Sequence, residues 1–421
     1  MLRRAVISAA VVLLAGSAHG VGVSGRLTSS LYTYQSEGLD SISTTYARVH
    51  QAVNLDLTDL GSRNLAFHTY LRATTDLAEK AAGDPSLRAI NAYLTWQQQG
   101  QRLTLGRQRV QAGAGRGTID GVRADLSAAG TRLTLFAGPL APADGSAELG
   151  KWSAGRLWGA RLAPPRLAAT DLAVSVARLE REPGAYADSG RFSHTLGATQ
   201  MRQQTLAGLD AGRQFGSHHS AYLRLEYDAE TATLRRAETR CRWAVSSRTS
   251  LEAEWLRREP GLLAGSVLSV FPSSAYQEMG LRAHLQANPA LRLHGNVATV
   301  RLDGDDAWRL GLSADLEGGY SLGYYRTMGY SRLSDGLVGS LYRPLGRRCV
   351  LQGQADLTSY ERDDADDSRE EAAAASLGVS FRPTRALNLQ ADVQAVRNAM
   401  YAVDTRLFAR ATWSFFTRGN R

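Results

Sequence analysis

The sequence predicts an all-β fold, a transmembrane antiparallel up-and-down β-barrel of about 22 strands, with 20 as the alternative count. Three observations point there. Aliphatic and polar residues alternate with period two through almost the whole chain, connections alternate between short and long, and aromatic residues recur at the ends of the apolar faces.

Residues 1–20 read as a secretory signal. Arg3 and Arg4 supply a charged start, Ala5 to Leu14 an apolar run, and Ala18-His19-Gly20 a small-residue cleavage site. That run is too short to span a bilayer as a helix, which takes about 20 apolar residues. The barrel is expected over 21–416, with 417–421 a short periplasmic tail. Only 11 prolines occur in 421 residues and no Ser- or Gly-rich linker divides them, so the chain reads as one continuous β texture rather than two or three domains. The first strand begins almost at the cleavage site, which leaves no room for a plug domain ahead of it.

Counting strands along the chain places nine before about residue 182 and thirteen after about 203, with Glu182 to Gln203 an external loop. The alternation is clearest in the second half. Ala221, Leu223, Leu225 and Tyr227 oppose Tyr222, Arg224, Glu226 and Asp228; Ala237 to Val245 oppose Arg236, Glu238, Arg240 and Arg242. Leu351 to Leu357 and Leu387 to Ala395 repeat the pattern against Gln, Asp, Asn and Thr, giving one face for lipid and one for water. A soluble periplasmic β-protein, the second alternative, also alternates, and connection lengths favour the barrel. Tight turns near 246–249, 287–290, 317–319, 344–347 and 382–385 alternate with longer, more polar connections at 259–274, 303–306, 331–334, 361–370 and 399–404. Short periplasmic turns alternating with longer external loops belong to outer-membrane barrels, and an even strand number puts both termini in the periplasm.

Trp96, Trp243, Tyr320, Trp413 and Phe415 fall at the periplasmic ends of outward faces, and Trp255 and Trp308 near external ends, the placement of an aromatic girdle at the headgroups. In the last strand Leu407, Ala409, Ala411 and Trp413 lead every second residue to Phe415. This resembles the C-terminal signature that the barrel assembly machinery of the outer membrane recognises, apart from a tail that continues to Arg421.

The chain carries 49 Lys and Arg against 40 Asp and Glu, but all except Lys80 and Lys151 of the basic residues are arginines, dispersed singly along the strands. That dispersion argues against a nucleic-acid patch. The two cysteines, Cys241 and Cys349, fall on the apolar face and read as inert thiols. No Gly-x-Ser-x-Gly elbow, His-Glu-x-x-His or clustered Cys/His spacing occurs, so no enzymatic activity, cofactor or metal is expected. His50, His68, His284 and His294 read as solvated lumen histidines, and His218-His219 as turn residues. The acidic stretch Glu361 to Glu371 reads as a solvated external loop.

On the lumen wall the expected residues are Arg224, Glu226, Arg236, Glu238, Arg240, Arg242, Glu252, Glu254, Arg282, Arg292, Arg309 and Asp315. Charges interleaved like this ladder across strands and bias the charge of a passing solute. Twenty-two strands enclose a backbone width of about 44 Å, so something must narrow the opening. Inward-folded segments, notably 261–275 and 140–155, are the candidates, which is ordinary for a pore that passes solutes; the alternative is a separate protein threaded through the barrel.

Two segments add a family-level likeness. Leu105-Gly-Arg-Gln108 followed by Ile119-Asp-Gly-Val122 resembles a hairpin of several large Gram-negative outer-membrane porin families, and Gly113, Gly115 and Gly117 suit a tight external turn between its strands. Asn54 to Leu60 with Ala66 to Leu71 is similar to early strands of the barrel in porin-cytochrome conduits. The first likeness implies a wide polar channel in contact with outer-membrane lipid and lipopolysaccharide; the second implies a sheath for a multihaem cytochrome.

Overall fold

The structure, a computed structural model, describes residues 21–37, 43–78, 86–182, 203–260, 275–302, 304–330, 332–363, 366–399 and 403–417. The signal segment, the stretch 183–202 and nearly all of 261–275 lie outside the described residues.

Twenty-two strands form one antiparallel sheet: β1 (Gly22–Glu37), β2 (Ser43–Thr58), β3 (Leu65–Asp76), β4 (Leu87–Gln98), β5 (Gln101–Ala112), β6 (Gly115–Ala128), β7 (Thr131–Pro139), β8 (Gly155–Ala163), β9 (Thr170–Arg181), β10 (Gln203–Phe215), β11 (His219–Asp228), β12 (Thr233–Ala244), β13 (Thr249–Arg258), β14 (Tyr276–Asn288), β15 (Leu291–Leu302), β16 (Asp305–Leu316), β17 (Tyr320–Gly329), β18 (Ser334–Leu345), β19 (Cys349–Asp363), β20 (Asp366–Phe381), β21 (Leu387–Arg397) and β22 (Asp404–Thr417). β1 pairs with β2 on one side and with β22 on the other, Leu27 standing opposite Trp413. The sheet therefore has no edge, and the fold is a closed 22-stranded barrel with no helix among the described residues. Closure follows from backbone chemistry: a strand in lipid has no water to satisfy its N–H and C=O groups, and an edge would leave a row of them unpaired.

Nine strands precede 182 and thirteen follow 202, and the tight turns fall within two residues of their expected places. One expectation fails. The acidic stretch Glu361 to Glu371 is almost all strand, with β19 running to Asp363 and β20 starting at Asp366. The ladder continues through Tyr360↔Glu370 and Glu361↔Arg369. Polar side chains on both faces imitate a loop in sequence, whereas they mark the part of a hairpin that stands beyond the apolar belt.

The strands sort into two compact halves: one of residues up to 90, 283–297 and from 307 onward, and one of 91–282 and 298–306. In each, one face of the wall carries exposed apolar side chains. Leu105, Leu135, Trp158, Val174, Val176 and Trp243 do so in the second half, and Trp308, Leu312, Leu322, Leu357, Leu377 and Trp413 in the first. This is the outer face; the opposite face is polar, with the exception described below. Trp96, Trp243, Trp308, Tyr320 and Trp413 are exposed on the outer face as expected, and Trp255 shares it half-buried. Phe415 packs its ring on Trp413, centroids 5.0 Å apart, and Leu407, Ala409, Ala411, Trp413 and Phe415 all lie on that face.

Cys241 and Cys349 are both free and half-buried, and their partners Ala253 and Phe381 share the outer face. In liposomes, with Cys349 replaced by Ser, Cys241 is expected to react with a lipophilic maleimide and to resist a charged, membrane-impermeant one. Labelling followed by mass spectrometry checks this, and equal reaction with the charged reagent would place Cys241 in the water-filled lumen.

Candidate functional site

β5 and β6 begin as wall strands. β5 pairs with β4 from Gln101↔Gln98 to Arg107↔Ala92, and β6 pairs with β7 from Val122↔Ala137 to Ala128↔Thr131. Beyond those points the two strands keep pairing with each other, to Ala112↔Gly115, while β5 leaves β4 and β6 holds its other neighbour only through the Ile119↔Leu140 bridge. The hairpin tip crosses the inner face of the wall. Its contacts run strand by strand: Phe136 on β7, Leu157 on β8, Ala177 on β9, Gly208 on β10 and Arg224 on β11.

Glycine makes the crossing possible. A Cβ on Gly121 would strike the Ala137 carbonyl and lie 2.6 Å from Gly138 Cα, so β6 passes β7 at a separation no side chain permits. At the tip Gly113 takes φ +62°, a left-handed conformation that suits glycine, and its Cβ position is already filled by Ser175. The expected tight turn is present, but it points inward rather than outward.

Two layers hold the hairpin. Against the wall, Val110, Ala112 and Ile119 pack on Phe136, Leu157 and Ala177, all no more than 4% exposed, with Leu140 and Leu179 around them. This is a dry apolar core on a face that is otherwise wet, and each large side chain in it contributes about 1.5–3 kcal/mol. On the other side of the hairpin Arg107 and Asp120 form an ion pair with both side chains 4% exposed. Arg107 Nε donates to Asp120 Oδ1 at 2.7 Å and Nη2 to Oδ2 at 2.8 Å. The pair is capped by the segment 141–154: Arg107 donates to the Ser146 and Glu148 carbonyls, and the Gly150 N–H donates to Asp120 Oδ2 at 2.6 Å. The expected inward-folded segment 140–155 thus packs on the hairpin.

The tip is also tied by polar contacts. The Ala114 N–H donates to Ser175 Oγ at 2.9 Å, Arg224 Nη2 donates to the Gly113 carbonyl at 2.7 Å, and Arg116 pairs with Glu226. From there a ladder of charges spreads along the inner wall of the same half. Asp210 takes Tyr222 at 3.0 Å and Arg161 at 3.7 Å, Arg224 binds Glu226 at 2.6 Å, Arg236 binds Glu238 at 3.0 Å, and Arg240 reaches Glu238 and Glu254. Arg282 closes the row on Glu252 at 2.8 Å and Glu254 at 3.0 Å, and Arg242 stands in register with Glu252. In the other half Arg292 bonds Gln286 at 3.1 Å, Asp315 bonds His294 at 2.9 Å, His294 meets His284, and Arg309 lies on the same inner face.

All twelve expected lumen residues therefore lie on the inner face, and nine of them in one half form or adjoin a connected network. Sequence reasoning missed Arg116, Arg107, Asp120, Arg161 and Asp210. It also missed Arg235, which a β-bulge between Glu226 and Tyr227 redirects onto the fully buried Asp228 at 3.0 Å. A signal for the docked hairpin was present: the inner faces of β7 to β9 carry Phe136, Leu157, Ala173, Ala177 and Leu179, which makes those strands apolar on both faces, the mark of a strand buried on both sides.

No protein-family model matches the sequence, and no curated protein matches it. Solved structures do match in fold. A mutant of the ferric enterobactin receptor PfeA of Pseudomonas aeruginosa superposes with a TM-score of 0.60 at 11% identity, over 93% of this chain and 80% of the receptor. The same receptor in complex with BCV-L6 gives 0.57 at 12% identity, over 93% and 81%. OpdQ of Pseudomonas aeruginosa matches at 7% identity over 94% of this chain and 99% of its own, with a TM-score of 0.45, too low to carry an argument. At such identities the likeness establishes the barrel architecture alone.

Replacing Asp120 with Asn leaves the buried Arg107 without a carboxylate counter-charge and is expected to cost the docked hairpin about 3–5 kcal/mol; Ile119→Ala is expected to cost about 2–5 kcal/mol through the cavity it leaves. Hydrogen exchange at 108–119 and 141–154 should accelerate in both variants while the wall strands stay protected. Unchanged exchange in both would mean that neither layer holds the hairpin.

Proposed function

We propose that this chain is an outer-membrane channel through which small polar solutes pass passively, narrowed from within by the β5–β6 hairpin. The observation that carries this reading is the hairpin itself, docked on the inner wall by an apolar core and a buried ion pair. A bare wall of 22 strands would leak; a hairpin laid across five neighbouring strands reduces the opening without sealing a surface that stays charged and wet. The interleaved arginines and carboxylates make that surface hospitable to water and to charged solutes.

The same reading sets the termini on the periplasmic side, the outer face in lipid and lipopolysaccharide, and the last strand as the segment met by the barrel assembly machinery. It assigns the chain no catalytic role. A sheath around a multihaem cytochrome is the less favoured reading: the segments resembling conduit barrels are plain wall strands in β2 and β3, and one half of the inner wall is already occupied by the chain's own hairpin.

Planar-bilayer recording tests the proposal. The purified barrel is expected to give steady conductance steps, larger once residues 108–119 are replaced by a short turn, and Arg240→Glu with Arg242→Glu is expected to move the reversal potential toward cations. A folded barrel that stays electrically silent with and without the hairpin would overturn the channel reading.

A further inference from the structure

The outer face of the half containing β17 to β21 holds a groove of about 560 Å³ near the end away from the termini. Its floor is one cross-strand row. Tyr324 stands opposite Leu337, Leu337 opposite Leu357, Leu357 opposite Ala373, and Ala373 opposite Arg397. Leu337 and Leu357 are 49% and 57% exposed, and Ala373, between Leu357 and Arg397, is small enough to leave the depression. The next row toward the rim changes character: Arg326, Asp335, Ser359 and Glu371 follow one another across the same strands. The apolar belt ends between these two rows, so the groove lies where lipid chains meet lipid headgroups.

The charges of the rim are unevenly engaged. Asp335 is already engaged three times, by the Tyr324 hydroxyl at 2.6 Å, by Arg369 at 2.7 Å and by Arg326 at 3.6 Å. Glu361 stands opposite Arg369 and Glu371 opposite Ser359, so the carboxylates of this end lie beside Arg326 and Arg369, whereas Arg397 is exposed at the end of the apolar row with no carboxylate bonded to it among the described residues. Guanidinium groups present several donors in a plane that matches a phosphate, and their stems lie readily along apolar surface.

We propose that this groove is a binding site for lipid A, one acyl chain lying along Leu337, Leu357 and Ala373 and one phosphate held by Arg369 and Arg397. A groove on the membrane-facing side is filled by whatever the membrane supplies, and its volume lies in the range of ordinary ligand sites, about 300–1,000 Å³. The choice of lipid rests on the orientation proposed above, which turns this end of the barrel to the external leaflet, and on the exposed Arg397 at the end of the apolar row.

The test uses the full barrel reconstituted in liposomes that contain both lipid A and phosphatidylethanolamine, extracted in mild detergent and weighed by native mass spectrometry. Wild type is expected to retain one lipid A per barrel, and Ala373→Trp and Arg397→Glu to lower that occupancy about tenfold each. Both variants should keep heat-modifiable mobility and unaltered conductance, since neither residue faces the lumen. Retention of phosphatidylethanolamine instead, retention of nothing, or equal retention of lipid A by all three proteins would overturn the site. Flotation of the liposomes reports separately on the membrane reading; a chain that does not insert removes that reading and the groove proposal together.

Discussion

Every feature of this protein depends on the pairing of β22 with β1. In a bilayer the backbone has no solvent to bond with, so the chain must satisfy its own peptide groups, and a sheet does so only when its first and last strands meet. Once the sheet closes, the period-two direction of side chains divides the whole sequence between an outer and an inner face. The outer face then selects Leu, Val and Ala with aromatic residues at its margins. The inner face selects arginine and carboxylate at neighbouring positions, because charges that partner each other across strands remain soluble without repelling the wall apart.

The β5–β6 hairpin breaks the inner-face rule in a way that explains itself. Phe136, Leu157 and Ala177 would be unfavourable facing water, and Val110, Ala112 and Ile119 would be equally so on a free hairpin; together they form one dry layer. The hairpin's other side replaces apolar packing by the Arg107–Asp120 pair, whose remaining donors and acceptor are used by the backbone of 141–154. An ion pair so enclosed is held in one geometry, which suits an element that, in the proposed channel, narrows the opening. The closed wall and the docked hairpin are held by different residues.

The barrel was legible because its determinants are local. Alternation and turn residues are read within ten residues of each other, so strand number, turn positions, the outward cysteines and the inward arginines follow from the chain alone. The failures are long-range. Gly113, Gly115 and Gly117 do mark a turn, but its inward direction is decided by apolar residues on β7 to β9, from Phe136 to Ala177, far along the sequence. The segment Glu361 to Glu371 was misread because a strand continuing past the apolar belt is polar on both faces and looks like a loop. Arg235 sits by simple alternation on the outer face; only the register of β11 against β12 shows the bulge that turns it to Asp228.

The central claim, that the hairpin is docked inside the wall, is tested most directly by a crosslink. A Cβ built on Gly208 lies 3.1 Å from that of Ala114 and 2.6 Å from Ser175 Oγ, so a small shift of that serine and of the tip brings the pair to the roughly 3.5–4.5 Å a disulfide needs. In a background with Cys241 and Cys349 replaced by Ser, Ala114→Cys with Gly208→Cys should oxidise to an intramolecular disulfide in the folded barrel, seen as a mobility shift reversed by reductant. Two thiols that stay free in a barrel with normal heat-modifiable folding would place the hairpin away from β10 and contradict the account.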